Sequence, residues 1–140
     1  MCEGMVTDSI VMCSGGFDPA HVGHLRYLRA AAEYGQVLVV LNSDAWLMRK
    51  KGYINMPWAD RRELLTEWRC VWRVVGVQDE DDSVCAAICL YRPRYFANGG
   101  DVTSPAETRE ARTCLEFGVE LLYGIGGSKV RSSSEWIPAT

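Results

Sequence analysis

The sequence predicts an α/β fold: a single Rossmann-like domain whose five-stranded parallel sheet, ordered 3-2-1-4-5, carries helices on both faces. Apolar runs and helical patterns alternate from one end of the chain to the other, the signature of parallel strands joined by crossover helices. The 140 residues suit one domain spanning 1–140, long enough to bury a core of its own. Segments rich in glycine, histidine and serine follow the apolar runs, where open parallel sheets hold ligands beyond the carboxyl ends of their strands.

Ile10 to Ser14 is the first expected strand, and it runs into the Gly15-Gly16 turn. A helix follows from about His21 to Tyr34, with Val22, Leu25, Leu28 and Ala32 as its buried stripe and Gly35 as its stop. Gln36 to Asn42 is the second strand. A second helix begins near Pro57, before the third strand at Val71 to Val77. A third helix starts near Ser83 and leads to the fourth strand at Arg94 to Asn98. Ser104-Pro105-Ala106-Glu107 is a capping box with proline at the first helical position, and the helix it opens ends at Gly118. Val119 to Gly124 is the fifth strand, and a short last helix is expected from the run Ser132 to Ser134.

A formal net charge of -3 argues against a general polyanion binder, so no nucleic-acid partner is expected and any basic site must be local. The six cysteines form no C-x-x-C pair and read as reduced thiols of a cytoplasmic protein. Cys85 and Cys89 are four residues apart but lack the further Cys or His that a metal centre needs, so no protein metal site is expected. No segment has the length and apolarity of a membrane span, and residues 1–9 are too polar for a signal peptide.

Residues 11–28 carry most of the chemistry. His21 and His24 open the first helix three residues apart with Gly23 between them, directly after a strand and a Gly-Gly turn. Glycines let backbone N–H groups approach an anion, a helix start offers unpaired N–H groups, and positions i and i+3 share a face. Both imidazoles are therefore expected to meet the same phosphates. Phe17 packs beneath the turn, and Asp18-Pro19 fixes the loop before the helix. Arg49-Lys50-Lys51-Gly52 is a cationic cluster without amphipathic pattern, placed for triphosphate contact through Lys51 or Arg49. Arg61 shares a helix face with Trp58, Leu65 and Trp68, so it needs an anionic partner, either a structural carboxylate or a bound phosphate. Gly99-Gly100-Asp101 ends the fourth strand as a turn with a carboxylate. Lys129-Val130-Arg131-Ser132-Ser133-Ser134 supplies cations and hydroxyls for a second anion-binding helix start.

With these residues in place the chain resembles the nucleotidyltransferase superfamily of cytidylyltransferases and small adenylyltransferases, on its H-x-G-H after the first strand and its serine-rich motif at the last helix. The likeness runs from Val11 to about Ile137. Within the superfamily it is most similar to the adenylyltransferase domain of bacterial ADP-heptose synthase, through Asn42-Ser43-Asp44-Ala45, Arg49-Lys50-Lys51-Gly52, Asp60-Arg61-Arg62, Asp79-Glu80-Asp81, Asn98-Gly99-Gly100-Asp101 and Ser132-Ser133-Ser134. The resemblance implies transfer of a nucleoside monophosphate from ATP or CTP to a phosphorylated sugar or polyol, with release of pyrophosphate. It implies catalytic roles for His21, His24, Lys51 and Arg61. Nucleotide contacts are implied for Gly15, Gly16, Phe17, Asp18, Gly23, Gly99, Gly100, Asp101, Lys129, Ser132, Ser133 and Ser134. Mg²⁺ carried by the nucleotide and a homodimer are implied as well. Two other readings stand beside this one: an adenylyltransferase of cofactor synthesis, acting on a mononucleotide or phosphopantetheine, and a nucleotide-binding module without turnover.

Overall fold

Alternation along the central strands decides which residues meet on each side of the sheet. In β1 (Ile10–Gly15) and β2 (Gln36–Leu41), Val11, Cys13, Val37, Val39 and Leu41 enter one apolar cluster, while Met12, Leu38 and Val40 between them enter the other. Burial on both faces is why these strands read as almost continuous apolar runs. The computed structural model describes residues 9–99 and 108–127.

β3 (Val71–Val75), β4 (Tyr95–Gly99) and β5 (Glu120–Ile125) complete a sheet ordered β3-β2-β1-β4-β5, with every pairing parallel. The order and the parallel pairing are those the sequence predicts. α1 (Val22–Ala31) and α3 (Trp58–Thr66) cover one face through Leu28, Ala31 and Leu65. α4 (Cys85–Tyr91) and α5 (Arg109–Phe117) cover the other through Ala87, Ile88 and Cys114. Strand order reverses between β1 and β4, so the crevice at their carboxyl ends is the expected ligand position.

Several boundaries differ from expectation. α1 stops at Ala31 rather than Tyr34, and Val22, at its first turn, faces solvent while Leu28 and Ala31 carry the buried stripe. α2 (Asp44–Lys51) was not anticipated, because Arg49, Lys50 and Lys51 fill its last turn and break any long apolar stripe. What forms it is local. The Ser43 hydroxyl accepts from the Trp46 N–H, the three cations sit where the helix dipole favours them, and Gly52 (φ 83) closes the end in left-handed backbone. α5 begins at Arg109, capped by the Thr108 hydroxyl, and ends at Gly118 as expected. The Ser104 to Glu107 box and the last helix expected at Ser132 to Ser134 lie outside the described residues. β3 stops at Val75 rather than Val77, and β4 and β5 each start one residue later than expected and run one residue further.

Beyond β5 the chain passes against α1. Gly126 has φ 91, and a Cβ there would lie 2.9 Å from the Tyr27 Cα, a backbone atom that cannot swing aside. The Tyr27 hydroxyl donates to the Ala97 carbonyl at 2.6 Å, so one residue ties α1 to both strands on the far side of the switch point. Gly126→Ala is expected to destabilise the fold by about 2–3 kcal/mol through strain and overlap together. A urea midpoint unchanged from the parent would contradict that packing.

Candidate active site

α1 begins with its two histidines joined reciprocally. His21 is the N-cap: its Nδ1 accepts from the Gly23 N–H at 3.1 Å, and the His24 Nδ1 accepts from the His21 N–H at 3.2 Å. A neutral imidazole that accepts at Nδ1 carries its proton on Nε2. Both rings are thereby fixed as Nε2 donors. They stack with centroids 3.8 Å apart and 20° between planes, and Phe17 meets His24 edge-on at 4.7 Å.

Burial, reinforced by the neighbouring His21 ring, pushes the His24 pKa down from 6.5 to about 3. His24 is therefore neutral across the physiological range. The unfolded chain takes up this proton near 6.5 and the folded one only near 3. Stability is full above the upper value and falls as pH drops between the two, by at most about 1.4 kcal/mol per pH unit. Urea midpoints measured from neutrality downward are expected to decline more steeply in the parent than in His24→Asn. Equal slopes would mean that His24 is not held neutral.

Asp18 is 1% exposed and clamps the loop before α1 to the segment after α2. Its Oδ1 accepts from the Met56 N–H at 2.6 Å, its Oδ2 from the Asn55 N–H at 2.8 Å, and Lys51 Nζ lies 3.1 Å from Oδ2 and 2.7 Å from the Asp18 carbonyl. Lys51 follows Leu47 by one helical turn, and Leu47 is buried, so this edge of α2 faces the glycine turn. A Cβ on Gly16 would come within 2.9 Å of Leu47 Cδ2 and 3.3 Å of Trp46 Cζ3. The absence of a side chain at Gly16 lets α2 close on the turn.

Arg61 is 1% exposed and reaches three segments from α3. Its Nε donates to the Met56 carbonyl at 2.9 Å, and its Nη1 donates to the Gly16 carbonyl at 2.7 Å and the Asn42 carbonyl at 2.9 Å. Its Nη2 pairs with Asp44 Oδ1 at 2.7 Å. Of the two partners the sequence allowed, a structural carboxylate is present. The guanidinium is committed to the loops around the crevice, which makes Arg61 a positioning residue.

Two further groups brace the carboxyl edge: Asp79, named by sequence reasoning only within a motif, and Arg49, read there as a candidate triphosphate contact. Asp79, 3% exposed, accepts from Asn42 Nδ2, the Ser43 N–H and the Ser43 hydroxyl. Burial opposes its charge, but those hydrogen bonds outweigh it and hold its pKa below the ordinary 3.8. Arg49 pairs with Asp82 at 3.0 Å and donates to the Asp79 carbonyl at 2.8 Å, so the cationic cluster divides: Lys51 faces the site loop and Arg49 faces the loop after β3. The cap signal at Ser43 was readable in the sequence. Nothing local announced Asp79.

The structure thus brings together Gly15, Gly16, Phe17, Asp18, His21, Gly23, His24, Lys51 and Arg61 at the end of β1, with Gly99 ending the adjacent β4. Phe17 is buried beneath the turn, in left-handed backbone (φ 50). Gly100, Asp101, Lys129, Ser132, Ser133 and Ser134 lie outside the described residues. Among the described residues no group of three or more His, Cys, Asp or Glu could hold a metal ion, and no helix is long and apolar enough to cross a membrane.

Comparison with known proteins identifies the family. Residues 12–133 match the family model described as cytidylyltransferase-like. The chain is 40% identical over 133 residues to the bifunctional protein HldE of Geotalea uraniireducens, an alignment covering 91% of this chain and 26% of that protein. It is 41% identical over 97 residues to the bifunctional protein HldE of Geobacter metallireducens, covering 67% of this chain and 19% of the other. The chain therefore spans about a quarter or less of the curated relatives it matches. Among solved structures, a lipopolysaccharide core biosynthesis protein from Thermoplasma volcanium superposes with a TM-score of 0.68 at 24% identity, over 88% of this chain and 98% of that one, a likeness of fold.

Proposed function

The chain belongs to the cytidylyltransferase-like family, and we propose that it transfers a nucleoside monophosphate from ATP or CTP to a phosphorylated sugar or polyol, releasing pyrophosphate. The observation that carries this reading is the pair of stacked imidazoles at the start of α1. Both are fixed as Nε2 donors at the point where strand order reverses. The HldE relatives, aligned over most of this chain, support a sugar phosphate as acceptor.

In this reading a dianionic acceptor phosphate attacks the α-phosphorus in line. One P–O bond forms, the bond to the β-phosphate breaks, and pyrophosphate leaves with the electron pair. No proton has to move. A neutral His24 suits that chemistry, because the step needs hydrogen-bond donors on the oxygens that gain charge rather than an acid or base. Two ammonium protons of Lys51 are directed at Asp18, and the third is assigned to phosphate. Asp18, already committed to Lys51, Asn55 and Met56, positions Lys51. Mg²⁺ brought by the nucleotide would neutralise phosphate charge, and Asp18, so engaged, would not be needed to hold it. Gly100, Asp101, Lys129 and Ser132 to Ser134 are proposed to close the nucleotide side.

A pyrophosphate-release screen of ATP and CTP against hexose, heptose and glycerol phosphates, with a mononucleotide and phosphopantetheine beside them, tests the reading. Release is expected only when a sugar or polyol phosphate is added. Release with a cofactor precursor alone would replace the acceptor class, and nucleotide binding without release from any acceptor would remove the activity.

A further inference from the structure

The ladder between β1 and β4 is short. β1 pairs with β2 over its whole length, from Ile10↔Gln36 to Gly15↔Leu41, but with β4 only at Val11↔Tyr95 and Met12↔Phe96. From Ala97 onward β4 parts from β1, and the crevice opens between them. The other flank of β4 is irregular at the same level. Ala97 stands opposite Leu122 and Gly99 opposite Ile125, so β5 holds one extra residue across this step.

Side chains take over where these ladders change. From α1 the Tyr27 hydroxyl donates to the Ala97 carbonyl at 2.6 Å, and Asn98 Nδ2 donates to the Leu122 carbonyl at 3.1 Å. A carbonyl on a parting strand needs a donor, and the phenol supplies one without drawing β4 back onto β1. Packing alone does not call for that hydroxyl, because a phenylalanine ring would fill the same place against the apolar cluster.

Tyr27 is also placed to matter for the site. It follows His24 by three residues on α1, so both stand on one side of the helix that carries the imidazoles. The Ala97 carbonyl it holds lies two residues before Gly99, where β4 ends. The turn after β5 packs on its backbone at Gly126. One residue therefore spaces the histidine end of α1 from the ends of β4 and β5. We propose that Tyr27 is a positioning residue for the nucleotide half of the site, its hydroxyl keeping the end of β4 at the distance from α1 at which Gly99 and the His21 and His24 pair meet one nucleotide. This role rests on the nucleotidyl-transfer reading above.

Steady-state kinetics of Tyr27→Phe, which keeps the ring and removes the hydroxyl, test it with the best acceptor from the screen. Ile88→Val, a buried truncation in the opposite helix layer, controls for lost stability. Tyr27→Phe is expected to raise the nucleotide KM about fivefold while the acceptor KM stays within about twofold, and Ile88→Val to change neither. An unchanged nucleotide KM in Tyr27→Phe, equal rises in both KM values, or the same rise in Ile88→Val would overturn the role. If the parent releases no pyrophosphate from any acceptor, the transfer reading fails, and calorimetric titration of non-hydrolysable ATP and CTP analogues with Mg²⁺ still decides Tyr27. Binding by the parent that Tyr27→Phe weakens about fivefold and Ile88→Val leaves unchanged would support the role; binding by none of the three, or equally by parent and Tyr27→Phe, or weakened alike in both variants, would overturn it.

Discussion

His24→Ala is expected to lower kcat for pyrophosphate release by about a hundred- to a thousand-fold, the usual effect of deleting one donor to a developing charge. The fold should survive, because the capping hydrogen bond and the ring contacts with His21 and Phe17 are together worth about 1–2 kcal/mol. His21 needs a different substitution. As the N-cap it has a structural role that alanine would also remove, whereas His21→Ser supplies a hydroxyl to the same N–H groups and removes only the Nε2 donor. A stable, slow His21→Ser would assign the imidazole to the chemistry. Full activity in either variant would take the histidines out of the mechanism.

Arg61→Met is expected to cost about 3–5 kcal/mol, because it leaves the carbonyls of Gly16, Asn42 and Met56 and the Asp44 carboxylate without their shared donor. Urea unfolding measures the loss. Arg61→Lys separates the two roles the sequence left open. It keeps the charge but cannot span the three carbonyls, so it should lower both stability and kcat while the nucleotide KM changes little. A rise in nucleotide KM with stability intact would instead return Arg61 to the phosphates.

The sheet was legible because its signal is local. Runs such as Val37 to Leu41 are buried on both faces, and the glycine stop at 118 has a single conformational reason, its left-handed backbone (φ 72). α2 was missed because its stability comes from the Ser43 cap and the cations of its last turn rather than from an apolar stripe. The sequence placed His21, His24, Lys51 and Arg61 near one crevice, and the structure gathers them at the end of β1. Their partners were not legible. The pairing of Asp18 with Lys51, or of Asp79 with Ser43, joins positions more than thirty residues apart, which the topology brings together and no local pattern marks.

The central claim is that two neutral, Nε2-protonated imidazoles receive the nucleotide's phosphates. Nitrogen-15 NMR of the imidazoles, with Mg²⁺ and a non-hydrolysable nucleotide titrated in, reads it at the atoms concerned. The free protein should show both rings as the Nε2–H tautomer, with His24 unprotonated well below its ordinary 6.5. Saturating nucleotide should shift both Nε2 resonances and raise the His24 pKa, because phosphate charge favours the imidazolium. Saturation with neither ring perturbed would contradict the account.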